Sequence, residues 1–244
     1  MKTLRLIGIA LFAVLMCVNF ASCSGSDDDP TNEDKPTNEN ISTQKLISSL
    51  TTSDGNTFKF TYNDKNQLTS VNEVGKNNKI DFKWSDSQIV ATPTNKYENT
   101  PVVYQLNNGI ITSVEGRIVT YDKDKHLTST GNNNWTWSNE NISKLVHKND
   151  RETQTHTYTY YTDKENKHPI VDASAARLYY VGQLEYDELL FIAHPFLLGK
   201  TNKNLIKTHT EGSYVMEYIY ELDNNGYPVK IKENGETAYF ITWI

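Results

Sequence analysis

Aromatic and aliphatic residues recur at every second position over most of this chain, and that spacing constrains the fold more than any other feature. Phe58, Phe60 and Tyr62 alternate with Lys59 and Thr61, and Ile80, Phe82 and Trp84 with Asp81 and Lys83. Trp135 and Trp137 flank Thr136, Tyr158 and Tyr160 flank Thr159, and Tyr214, Met216, Tyr218 and Tyr220 continue the rule. Successive side chains on a strand point to opposite faces, so this spacing gives each strand one apolar and one polar face. Thr and aromatic enrichment favours strands as well.

Short polar segments separate these runs: Asn63-Asp64-Lys65-Asn66, Asp122-Lys123-Asp124-Lys125, Asp163-Lys164-Glu165-Asn166 and Asp223-Asn224-Asn225-Gly226. Asn, Asp and Gly supply the turn conformations that hairpins need. The unit repeats. FKFTYNDKNQLTSV (58–71) matches RIVTYDKDKHLTST (117–130), with looser copies at 135–146 and 219–231. A repeat of about 20 residues implies one hairpin per unit, paired side by side, and the spacing suggests about 14 strands. The expected fold is all-β: an antiparallel meander of repeated hairpins forming a strongly curved sheet or partial barrel, soluble. One region breaks the rhythm. YDELLFIAHPFLLG (186–199) predicts a short helix or apolar loop near 186–198 that packs over the sheet or plugs one end.

The first 22 residues read as a secretory signal: Lys2 and Arg5, then an apolar run from Leu6 to Val18, too short to span a bilayer. Phe20-Ala21-Ser22-Cys23 resembles the lipobox of bacterial lipoproteins, in which the cysteine is acylated and becomes the new N-terminus. The expected partner of Cys23 is therefore a lipid bilayer. Residues 23–40 carry SGSDDDPTNEDKPTNE, too polar to bury apolar area, and read as a disordered acidic tether. Residues 41–244 form a single β domain. Of the two cysteines, only Cys23 would remain after cleavage, so the domain relies on its core and has no disulfide. Losing Lys2 and Arg5 takes the net charge from −6 to −8, which argues against nucleic acid as a partner.

Several of these features point to known families. The Tyr121-Asp122 turn resembles the YD repeat of bacterial surface proteins. The lipobox, the tether, the hairpins, HPFLLGKTNKNLI (194–206) and YELDNNGYPVKI (220–231) together resemble Bacteroides-type lipoproteins with a porin-like β fold. The acidic run Asp27–Asp29 resembles the surface-export signal of such lipoproteins. The resemblance implies a porin-like topology and an outer-membrane, lipid-anchored address, facing the cell surface or alternatively the periplasm. It transfers no site residues.

Chemistry-bearing motifs are sparse. No HExxH, GxSxG, Walker loop or GxGxxG occurs. The six histidines are scattered; each reads as a surface or turn residue, with His156 on the wet face between Thr155 and Thr157. Asp122-x-Asp124 and Asp223–Gly226 read as turns, since neither has the distal Glu of a calcium loop. No cofactor or metal is expected. The 15 Tyr and four Trp are read chiefly as cross-strand ladders. Adjacent pairs expose one ring each, which makes Tyr160, Tyr161, Tyr179 and Tyr180 candidates for ligand stacking. The leading expectation is a module that binds or scaffolds a glycan or an envelope protein. The alternatives are an enzyme acting on an extracellular polymer, recognisable by paired carboxylates in a cleft, and a structural envelope component.

Overall fold

The computed structural model describes residues 45–94, 99–148, 152–173 and 187–244. Cys23, the tether, Tyr179 and Tyr180 lie outside the described residues. Within them the chain forms β1 Ile47–Thr52, β2 Thr57–Tyr62, β3 Leu68–Glu73, β4 Lys79–Trp84, β5 Gln88–Thr94, β6 Val102–Asn107, β7 Ile110–Val114 and β8 Arg117–Tyr121. There follow β9 Leu127–Thr130, β10 Asn133–Ser138, β11 Asn141–Lys148, β12 Thr153–Glu165, β13 Asn204–Glu211, β14 Tyr214–Leu222, β15 Pro228–Glu233 and β16 Glu236–Trp243. Between β12 and β13 lie a helix, α1 Asp187–Ala193, and a 3₁₀ turn, Pro195–Leu198.

Each strand pairs antiparallel with its neighbour in sequence, and β1 pairs with β16 through Leu50↔Ile241 and Thr52↔Tyr239. The sheet therefore closes into a barrel of 16 strands, where the sequence pointed to a partial barrel of about 14. Closure leaves no sheet edge. The undercount comes from elements such as β9, four residues long, too short to carry an alternation of its own.

The alternation sorts the wall as expected. Leu50, Phe58, Phe60, Val71, Phe82, Tyr104, Trp135, Tyr218 and Ile231 point inward and are buried. The outer wall is largely polar, with Ile118, Val215, Ile219 and Phe240 as exposed apolar side chains on it. Hydroxyl pairs bridge neighbouring strands at Ser49–Thr242 (2.7 Å), Thr120–Thr128 (3.1 Å) and Thr159–Thr208 (2.6 Å), and Lys230 pairs with Glu221 at 3.1 Å. A barrel that crosses a bilayer with its strands has the reverse arrangement, apolar outside and polar within.

His156 departs from its expected position. It is buried, 4% exposed, on the inner face in phase with Tyr158. Alternation fixes only the phase of a strand, and the aromatic at 158 sets it.

A 16-stranded wall is too wide for its own side chains to meet at the centre, and residues 187–199, ahead of β13, fill that space. Leu189, Leu190, Phe191, Ile192 and Ala193 are consecutive and all buried. A helix that is apolar on every side is stable only when surrounded, and seven residues are too few to hold a helix alone. Leu189 lies beside Phe58, Val71 and Ile80, and Phe191 meets Tyr104 edge to face at 5.9 Å. His194 packs between Tyr62 (5.9 Å) and Trp84 (5.1 Å), and His168 meets Trp243 at 4.9 Å. These partners belong to β2–β4, β6 and β16, so His168 and residues 187–199 form a plug inside the barrel.

One end of the barrel carries an aromatic girdle. Even-numbered strands carry there, at or before their ends, a ring whose polar atom donates to a carbonyl near the start of the preceding strand. Tyr62 Oη donates to Ile47 O (3.0 Å), Trp84 Nε1 to Leu68 O (2.7 Å), Tyr121 Oη to Ile111 O (2.6 Å) and Trp137 Nε1 to Leu127 O (2.8 Å). Tyr160, Tyr220 and Trp243 do the same to Ile142, Ile206 and Pro228. Each such bond contributes about 1 kcal/mol and ties a hairpin across its open end. On β6 the corresponding side chain is Leu106, which packs against the core with no polar atom to donate.

The turns beyond the girdle are copies of one another. Asn63 Oδ1 accepts from Lys65 N and Gln67 N, both at 3.0 Å; Asp122 Oδ1 from Asp124 N and His126 N, both at 2.9 Å; Asp223 Oδ1 from Asn225 N (2.8 Å) and Tyr227 N (2.9 Å). The fourth residue is left-handed in each, at φ 59° for Asn66, 65° for Lys125 and 84° for Gly226. The first residue is therefore Asn or Asp because its side chain must accept both amides. The chain also enters and leaves the barrel at this end, where Leu46 N donates to Ile244 O at 2.9 Å and Lys45 pairs with Asp223 at 2.6 Å.

Two plug histidines make stability depend on pH. Burial pushes His168 down to about 3 and His194 down to about 4, and His194 Nε2 accepts from Leu68 N at 3.0 Å, a bond its protonation would break. Both are neutral in the fold, whereas an unfolded histidine titrates near 6.5. Their contribution is complete above about pH 6.5 and is lost as pH falls toward the folded values. His168, 1% exposed, should alone account for a loss of about 3 kcal/mol between pH 7 and pH 4. Urea midpoints across that range should fall steadily from about pH 6.5, and His168→Gln should flatten the curve; an unchanged midpoint down to pH 5 in the wild type would contradict this.

Candidate functional site: a cleft where β12 leaves β11

The ladder between β11 and β12 runs from Lys148↔Thr153 to Lys144↔Thr157. Beyond it, β12 swings outward. Against β13 the register jumps from Tyr160↔Ile206 to Glu165↔Asn204, so residues 161–164 bow out opposite a single residue. A bulge of this kind redirects side chains and ends pairing. The space it opens is a cleft of about 500 Å³, lined by Tyr158, Tyr160, Tyr161 and Thr162 from β12, Asn141 and Ser143 from β11, Ser138 and Asn139 before it, and Lys203 and Asn204 at the start of β13.

Side-chain amides replace the missing ladder. Asn204 N donates to Asn141 Oδ1 (3.0 Å), Asn141 Nδ2 to Asn204 Oδ1 (3.2 Å), and Ile142 N to Asn202 Oδ1 (2.6 Å). Lys203 closes the rim through Glu140, at 2.6 Å, and this pairing lowers the Glu140 carboxyl and raises the Lys203 ammonium. With its backbone groups bonded in this way, the split is a stable part of the wall.

Two of the tyrosines singled out from the sequence, Tyr160 and Tyr161, meet in this cleft. Their hydroxyls are engaged in the wall, donating to Ile142 O (2.6 Å) and Tyr218 O (2.8 Å). The Lys164 ammonium sits over the Tyr161 ring at 4.0 Å from its centroid, with Lys207 at 6.0 Å. Partial burial raises the Tyr161 phenol, and the charges of Glu217 and Asp163 add to this. The cleft thus offers aromatic surface bordered by amides, hydroxyls and an ammonium. Its lining holds no pair of carboxylates. The amide framework, Asn141, Asn202 and Asn204, was missed from the sequence: the only available signal was the asparagine density of TNKN (201–204), which also suits an ordinary turn.

The turn group Asp122, Asp124 and His126, of which only the two aspartates are exposed, brings three ligand-type atoms within 4.8 Å of one another. Asp122 already accepts two backbone amides and the His126 ring, which matches its role as a turn residue.

Among solved structures, the chain is similar to a porin-like protein from Bacteroides uniformis, with 17% identity over 82% of this chain and 95% of that one and a TM-score of 0.58. A porin-like protein from Bacteroides vulgatus aligns at 10% identity over 82% of this chain and 99% of that one, with a TM-score of 0.48. No protein-family model and no curated protein matches the chain. The fold defines the class, a closed antiparallel barrel of the porin-like kind. The particular form seen here is a plugged barrel with an apolar interior.

Proposed function

We propose that the protein is a lipoprotein of the bacterial envelope, held by an acylated Cys23, that displays its barrel at the cell surface as a non-conducting module binding a glycan or an envelope protein. The inverted wall carries this reading. A lysine on a lipid-facing strand costs about 2 to 4 kcal/mol near the bilayer midplane, and the outer wall bears Lys59, Lys83, Lys230 and Lys232 with Glu217 and Glu221. Most strands are also shorter than the 9 to 11 residues or so that a crossing strand needs. A barrel built this way is held at a membrane by something other than its strands, and Cys23 provides that attachment. The similarity to a porin-like protein from a Bacteroides species supports the envelope address. The cleft favours a polyhydroxyl ligand, because aromatic faces beside amides suit sugar rings.

Acyl-chain labelling of cells followed by protease treatment of intact cells tests the address. The expected outcome is label on the wild type, none on Cys23→Ala, and digestion of the wild-type barrel from outside. Unlabelled wild-type protein would overturn the anchor, and labelled but fully protected protein would overturn the surface display.

A further inference from the structure

We propose that the mouth of the barrel opposite the girdle is a binding site for a divalent transition metal of the zinc class, with His156, His209 and Glu211 as its protein ligands. The strand register builds it. His209 and Glu211 lie two apart on β13 and so share a face, and His156 on β12 stands directly opposite Glu211. Such cross-strand neighbours hold their Cβ atoms about 5 Å apart, close enough for three side chains to converge on one ion.

Two of the three donor atoms are already adjacent. His156 Nδ1 and His209 Nε2 are 2.9 Å apart, and the rings stack at 5.1 Å with an interplanar angle of 28°. Two nitrogens bound at about 2.0 Å to one tetrahedral zinc are separated by about 3.3 Å, so the pair has to open by only a few tenths of an ångström. A Glu211 oxygen lies 3.9 Å from His156 Nδ1, on a side chain 43% exposed that can turn toward His209. The ring of Tyr158 stacks on His209 at 5.2 Å and 16°, which fixes its orientation. On β11, His147 is hydrogen-bonded through Nδ1 to Asn133 Oδ1 at 2.6 Å and lies two residues from Leu145, the cross-strand partner of His156, so a third imidazole borders the same mouth. Burial lowers both His156 and His209, so both rings are neutral at pH 7 and no net proton has to leave when an ion binds; the proton between them moves to the other nitrogen of its own ring. Two imidazoles and a carboxylate, with a remaining position for solvent, suit zinc; hard ions such as calcium prefer all-oxygen sets. In the absence of an ion, the two imidazoles share a proton in an N–H···N hydrogen bond.

The test is titration of the chelator-stripped full chain with Zn²⁺ by calorimetry and with Co²⁺ by visible absorption. The expected result is one equivalent bound with micromolar or tighter affinity, tetrahedral cobalt bands, and a higher melting temperature with zinc. His209→Gln and Glu211→Gln should each weaken binding by at least about 10-fold, since even the outer partners of a metal ligand contribute that much. Neither position is fully buried, so neither variant should unfold the barrel, and far-UV circular dichroism verifies this. Asp122→Asn should leave binding unchanged, because Asn63 fills the same turn position in the sister hairpin. Absence of micromolar binding by the wild type would overturn the proposal, as would binding that is lost in Asp122→Asn and retained in His209→Gln.

Discussion

Phe191→Ala is expected to destabilise the barrel by about 3 to 5 kcal/mol, the range for removing a fully buried aromatic ring. Phe191 is 0% exposed at the centre of the plug, with Tyr104 as its edge-to-face partner. The wall is pinned by its ladders and cannot close over the space left behind, so most of the cavity cost should persist. For a domain of this size the loss corresponds to a melting temperature lower by about 10 °C. Phe196→Ala, in the same segment but 47% exposed, should stay within about 0.5 kcal/mol of the wild type. Similar small losses for both variants in urea titrations would mean that the plug is not part of the core.

Gly199→Ala should cost about 3 kcal/mol or more for a different reason. Gly199 ends the 3₁₀ turn at φ 73° and ψ −146°, a region essentially confined to glycine. A Cβ there would overlap Lys125 O and stand 3.1 Å from two carbons of the Tyr121 ring. Neither neighbour can retreat: Lys125 O accepts from Lys200 N at 2.9 Å, and Tyr121 is held in the girdle by Ile111 O. Gly235→Ala isolates the backbone part, because Gly235 is also at positive φ, 87°, but has nothing within 4 Å of its would-be Cβ. It should cost only about 1 to 2 kcal/mol. Equal losses at the two glycines would show that the plug does not dock against the turn between β8 and β9.

Much of this fold can be read from the chain, because its signals are local. Phe58-x-Phe60-x-Tyr62 marks a strand and its buried face without reference to the rest of the molecule. Asn63, Asp122 and Asp223 each mark a turn because one side chain must accept two amides. The apolar run Leu189–Ala193 stands out against the alternation, and the structure places it where a helix apolar on all sides must go. Closure is not local. Nothing in Ile47–Thr52 distinguishes a strand that pairs with β16 from a free edge, since the decision rests on register accumulated around the whole wall.

The cleft was legible only in part. Tyr160 and Tyr161 stood out as neighbours on opposite faces, yet the bulge at 161–164 that brings both to one cleft arises from a mismatch between β11, β12 and β13. His156 was misplaced because Thr155 and Thr157 suggest a wet surface on either phase. The aromatic at Tyr158 held the phase information. The convergence of His156 with His209 depends on cross-strand register over 53 positions of chain, which no local pattern encodes.

A barrel that is filled and has a largely polar outer wall would be held at a membrane, on the proposal above, only through an acylated Cys23. The most direct test is flotation of the full-length Cys23→Ala protein, purified without detergent, with preformed liposomes. The expected result is a folded, dispersed protein that stays at the bottom of the gradient and gives no conductance in planar bilayers. Protein that required detergent, floated with the liposomes and opened channels would contradict it.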